Sequence, residues 1–90
     1  MKVVVLYRPN SEYGRRVEEF IHDFTTRDDP KRLQILDIDS REGSATATLY
    51  DVVRHPAILV LQTDGQLQRS WLWEDSGFPR VDEVAAYARA

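Results

Sequence analysis

The sequence predicts an α/β domain with a four-stranded mixed sheet and helices on both faces, in the order β-α-β-α-β-β-α. Three observations carry this. Lys2–Tyr7 and the run from Ala57 to Leu61 are apolar and largely β-branched at nearly every position, the composition of strands covered on both sides. Three other stretches place apolar residues at helical spacing, and Thr63-Asp64-Gly65 is a short hairpin signal between the last two strands. Ninety residues suffice for one core and not for two, so a single domain over residues 1–90 is expected.

The elements follow in order. After the first strand and Arg8-Pro9-Asn10, Ser11 is read as a helix N-cap with Glu12 in the first turn. Val17, Phe20, Ile21 and Phe24 then form the stripe of a helix ending near Thr26. Arg27-Asp28-Asp29-Pro30 breaks the chain, and Leu33, Ile35, Leu36 and Ile38 mark a second strand. Asp39, Ser40 and Glu42 supply capping chemistry for a second helix, whose expected stripe is Ala45, Leu49, Val52 and Val53, weakened by Gly43 and ended before Pro56. The fourth strand runs from Leu67 to Trp73, antiparallel to the third. After Ser76-Gly77-Phe78-Pro79, with Pro79 in a first helical turn, Val81, Val84, Ala85 and Ala88 form the last stripe.

Composition removes several classes of function. The chain has no cysteine, so it has no disulfide, no thiolate ligand and no dithiol redox couple. A net charge of -3 with intermixed signs gives no electrostatic footprint for nucleic acid or an anionic membrane. No apolar run approaches the roughly 20 residues needed to span a bilayer. The start, Met1-Lys2 followed directly by Val3, lacks a signal-peptide pattern, and a cytoplasmic protein is expected. His22 and His55 with scattered carboxylates such as Asp37, Asp39 and Glu42 form no metal-ligand pattern, and no glycine loop for phosphate is present, so no metal or cofactor is expected.

Two segments resemble the thioredoxin-like superfamily, in its glutaredoxin branch, and together with the element order the resemblance covers nearly the whole chain. Tyr7-Arg8-Pro9-Asn10-Ser11-Glu12-Tyr13-Gly14-Arg15-Arg16-Val17 is similar to the strand-to-helix turn that carries a Cys-x-x-Cys motif, with Ser11 and Gly14 at the two cysteine positions. Leu49-Tyr50-Asp51-Val52-Val53-Arg54-His55-Pro56-Ala57 is similar to the family's run into the proline, cis in that family, that precedes its third strand. The chain departs from the pattern at both cysteines, at Ala57 where threonine is common, and at Asp51 where glycine is frequent. The resemblance therefore implies the fold with its redox site emptied, and does not imply the activity.

Serine does not replace the thiolate. Its hydroxyl stays protonated unless a base lies within hydrogen-bond reach, and only His55, beside the proline, could serve near Ser11; the plain N-cap role accounts for Ser11 instead. The helix end, surrounded by Arg8, Arg15 and Arg16, could still hold a carboxylate or phosphate on Arg8 and the amides near Ser11 to Gly14, as a glutathione site would, or these arginines are solvated surface charges. His55 and Pro56 lie, by resemblance, where family members dock an extended peptide, or Pro56 merely starts a strand. Trp71 and Trp73 share a strand side with Arg69 and, through the last helix, Tyr87; they read as core under that helix, with Trp73 the better candidate for exposure.

The leading expectation is a redox-inactive, non-enzymatic binding module for a protein or peptide, using Arg8, Ser11, Glu12, Tyr13, Gly14, Arg15, His55, Pro56 and Trp73. The alternative is a glutathione- or small-anion-binding domain, transferase-like, in which Ser11 or Tyr13 replaces cysteine chemistry. A third possibility is a domain whose role depends on a partner chain or assembly.

Overall fold

The computed structural model describes residues 1–28, 30–72 and 78–89. Its elements are β1 (Lys2–Tyr7), α1 (Gly14–Arg27), a 3₁₀ turn (Pro30–Arg32), β2 (Leu33–Asp37), α2 (Arg41–Leu49), β3 (Ala57–Leu61), β4 (Leu67–Leu72) and α3 (Val81–Arg89). The four strands form one mixed sheet in the order β2-β1-β3-β4, with β1 parallel to β2 and antiparallel to β3, and β3 antiparallel to β4.

That order explains the composition of the strands. β1 and β3 are the inner pair, and every residue from Val3 to Tyr7 and from Ala57 to Leu61 is buried, as strands covered on both faces require. β2 and β4 are the edges and carry the polar residues. On one face Val3, Val5, Tyr7, Ile58 and Val60 pack under Val17, Phe20 and Phe24 of α1 and Val81, Val84, Ala85 and Ala88 of α3. On the other, Val4, Leu6, Leu36, Leu59 and Leu61 are covered by Ile38, Ala47, Tyr50 and Val52. The α1 and α3 stripes are those read from the sequence, with Ile21 half-buried at the margin.

Three local expectations are corrected. α1 begins at Gly14, and Tyr13 is its N-cap without a side-chain cap. Ser11 is not the cap because it is used in the preceding turn, where its amide and its hydroxyl both donate to the Arg8 carbonyl, at 3.1 and 2.7 Å. In α2 the helix ends at Leu49, so Val52 and Val53 lie beyond it. Ala45, Leu49 and Val53 face solvent, Leu49 being 73% and Val53 75% exposed. The side turned to the sheet is Gly43 and Ala47, followed by Tyr50 and Val52. Asp51 absorbs the change of direction with a φ of 55°, a conformation open to Asp and Asn at modest cost. Pro79 lies two residues before α3 rather than inside its first turn, and the Arg80 carbonyl accepts from the Glu83 and Val84 amides.

The capping reading for α2 holds at Ser40, whose hydroxyl oxygen accepts from the Gly43 amide at 3.0 Å while donating to the Asp37 carbonyl. The hairpin closes through Gln62 and Gln66 around Gly65, which has a φ of 90°. Tyr50 ties this turn to the end of α2 by donating its hydroxyl to the Gly65 carbonyl. Trp73, read from the sequence as a site residue, lies outside the described residues, as do Ser76 and Gly77.

Candidate functional site

Parallel pairing brings the ends of β1 and β2 out together. Tyr7 is level with Asp37, and the Ile38 amide donates to the Tyr7 carbonyl at 3.0 Å. The next residues therefore leave the sheet side by side, and Arg8 meets Asp39 in a two-pronged ion pair, Nε to Oδ2 at 2.7 Å and Nη2 to Oδ1 at 3.0 Å. Asp39 is oriented by its own amide, which donates to Asp37 Oδ1 at 2.9 Å. The hydrogen bond from Arg8 holds the Asp39 carboxyl below the usual carboxylate range, with His55 adding a smaller electrostatic contribution in the same direction.

His55 reaches this place from the other neighbour of β1. In the antiparallel β1–β3 register Leu6 pairs with Ala57, so the chain entering β3 passes beside the end of β1. Pro56 is buried, the His55–Pro56 bond is cis, and the His55 side chain is exposed. Arg8, Asp39 and His55 thus form one polar cluster at a single end of the sheet. Val53, exposed two residues before His55, adds apolar surface on the approach to it.

The α1 entry lies directly after Arg8. Gly14 has no room for a side chain, since a Cβ there would stand 2.3 Å from the Pro9 carbonyl oxygen. This close approach, rather than chain flexibility, explains a glycine at that position. Tyr13 is half-buried, whereas Glu12 and Arg15 are exposed and make no hydrogen bond or ion pair with the Arg8 cluster among the described residues.

Of the residues singled out from the sequence, the structure therefore gathers Arg8 with His55 and Pro56 and sets Ser11 in the turn that follows. The sequence pattern at Asp39 signals helix capping and does not reveal it as the partner of Arg8. Nor does the sequence reveal the exposure of Leu49 and Val53. A groove of ≈ 410 Å³ between α1 and the start of α3, with Phe20, Phe78 and Arg80 among its lining residues, had no sequence signal beyond Phe78 after a chain break.

Within the cluster the chemistry is limited. The Arg8 guanidinium is engaged by a carboxylate of the same chain, and Ser11 directs its proton to a backbone carbonyl. Tyr7, buried beneath the site, is pushed up from its ordinary value by burial first and by the Glu18 and Asp37 carboxylates second, so it stays neutral at physiological pH. Among the described residues no three His, Asp or Glu side chains come together as metal ligands, and no helix is long and apolar enough to cross a membrane. No protein-family model matches the chain, and no curated protein matches it in sequence.

Proposed function

We propose that the chain is a cysteine-less, thioredoxin-like binding module that recognises an extended protein or peptide segment at the end of the sheet where Arg8, Asp39 and His55 meet. The observation that carries this is the pairing of that polar cluster with Val53, a large apolar side chain 75% exposed two residues before His55. Isolated exposed apolar residues need no explanation. Val53 next to an oriented polar cluster offers what an extended ligand uses, apolar contact together with fixed hydrogen-bonding groups. The strand order β2-β1-β3-β4, with α1 and α3 on one face and α2 on the other, supports the thioredoxin-like reading.

The alternative, a site for glutathione or a small anion, has less support, because the arginine it needs already holds Asp39 by two hydrogen bonds. A non-catalytic role is supported by Ser11, whose hydroxyl donates to a carbonyl rather than facing a base. A capture experiment with the wild-type chain, a Val53→Asp/His55→Ala double variant and a His22→Ala control tests the proposal. Proteins recovered by wild type and control and lost by the double variant support it. Recovery of the same proteins by all three overturns it.

A further inference from the structure

β4 forms one edge of the sheet, and its outer side has no strand partner among the described residues. Exposed strand edges are commonly guarded by lysine, proline or a bulge that twists the edge away. β4 has neither lysine nor proline; Leu61 pairs with Leu67 and Val60 with Arg69, so Gln68 is a bulged residue and the regular edge runs from Arg69 to Leu72. Residues 67–70 are all exposed, and Arg69 is the one charged residue of the strand.

Arg69 is held in an unusual way. Its guanidinium carbon lies 5.1 Å from the centroid of the Trp71 ring and 5.0 Å from that of Tyr87, while Nη1 donates to the Tyr87 hydroxyl at 3.2 Å. The two rings meet edge to face, 5.5 Å apart at 73°. Stacking uses the flat faces of the guanidinium and leaves its in-plane N–H donors available. Only one is used by Tyr87, and no carboxylate pairs with Arg69 among the described residues. The clamp therefore fixes a cation on a pairing-competent strand edge with its hydrogen-bonding rim unfilled. Fixing the side chain in advance also reduces the entropy lost when a ligand engages it.

We infer that the β4 edge accepts an extended peptide carrying a carboxylate, which adds as a fifth strand and sets its acidic side chain on Arg69. Arg69 and Trp71 share one side of β4, level with Val60 and Ile58, so the peptide is expected to present Asp or Glu opposite Arg69 and an apolar residue two positions away, opposite Trp71. A second copy pairing β4 against β4 is disfavoured, because it would bring two Arg69 side chains into one short ladder. This surface is separate from the Arg8–His55 cluster and does not rest on it.

The test is an amide-shift titration of the full chain with an acetylated, amidated peptide of sequence Thr-Val-Thr-Glu-Thr-Val-Thr and with its glutamine counterpart. The expected result is movement of amides 67–72, with the glutamate peptide binding at least about fivefold more tightly, as one charge-assisted pair at a partly exposed site supplies. That gap is expected to close in Arg69→Gln and to survive in His55→Ala. The comparison of the two peptides on the wild-type chain stands even if Arg69→Gln fails to fold. Equal affinity for both peptides, the absence of shifts in 67–72, or a sedimentation coefficient that rises with chain concentration in the absence of peptide would each overturn the inference.

Discussion

Replacing Gly43 with alanine sets two physical effects against each other. Helix propensity alone favours Gly43→Ala, because glycine in a helix interior costs about 1 kcal/mol relative to alanine. The packing of α2 on β2 opposes it. A Cβ at position 43 would stand 2.0 Å from the Asp37 carbonyl oxygen and 2.8 Å from its carbon, where ordinary contact begins near 3.4 Å. The helix would have to withdraw by about 1.4 Å from a backbone atom that cannot rotate aside. Such a withdrawal also strains the Ser40 cap, the Gln34–Glu42 hydrogen bond at 2.9 Å and the cover that Ala47, Tyr50 and Val52 give to Leu6 and Leu59.

Overpacking costs roughly 1–3 kcal/mol, and contact with backbone puts this site at the upper end. After the gain in propensity, a net loss of about 2 kcal/mol is expected. For a domain of this size that lowers Tm by roughly 8–16 °C. Thermal unfolding followed by circular dichroism, checked by the urea midpoint at unchanged slope, measures it. A variant as stable as wild type, or more stable, would refute the close approach of α2 to the end of β2.

Three further outcomes are expected. Leu49→Ser and Val53→Ser should each change stability by less than about 0.5 kcal/mol, because both side chains are in solvent; a loss above about 1.5 kcal/mol in urea unfolding would restore them to the core. Phe24→Ala should cost about 3–5 kcal/mol, since Phe24 is fully buried against Phe20 with ring centroids 6.3 Å apart, and a loss below about 1 kcal/mol would contradict that packing. The Asp39 carboxyl is lowered in the folded state, so its contribution is present above the unfolded value near about 4 and is lost as pH falls through the folded value. The Tm advantage of wild type over Asp39→Asn should therefore shrink between neutral pH and about pH 3, and a difference constant across that range would mean the ion pair contributes nothing.

Where burial is carried by side chains, the sequence revealed it. The inner strands read as unbroken apolar runs because both their faces are covered. Val17, Phe20 and Phe24, like Val81, Val84, Ala85 and Ala88, kept helical period because each is a side chain meeting the sheet. α2 escaped the same reasoning because it meets the sheet through the absence of a side chain at Gly43 and a single methyl at Ala47. Hydrophobic periodicity has no signal for either and instead picks out Leu49 and Val53, which are apolar and exposed. The start of α1 differs from its sequence pattern for a related reason. A serine hydroxyl that donates backward to Arg8 and one that accepts forward from a helix amide look identical in sequence. At the site, Arg8 and His55 could be placed from the turn and the proline, whereas the Arg8–Asp39 pair spans 31 positions and depends on the β1–β2 register.

That pair also determines what the site can select. An incoming carboxylate or phosphate that takes the Nε–Nη2 edge of Arg8 must displace Asp39, exchanging two well-formed hydrogen bonds for two equivalent ones, and one that takes the remaining N–H groups meets the Asp39 charge beside it. The exchange gives a bare anion little net free energy. A peptide that leaves the ion pair intact and adds contact with Val53 and hydrogen bonds near His55 does not face this competition. Removing the competing charge should therefore create an anion site: Asp39→Asn is expected to bind phosphate or glutathione severalfold more tightly than wild type, with amide shifts in residues 8–14. If wild type already responds to millimolar anion as strongly as Asp39→Asn does, the internal carboxylate does not guard the arginine, and the small-anion reading displaces the peptide one.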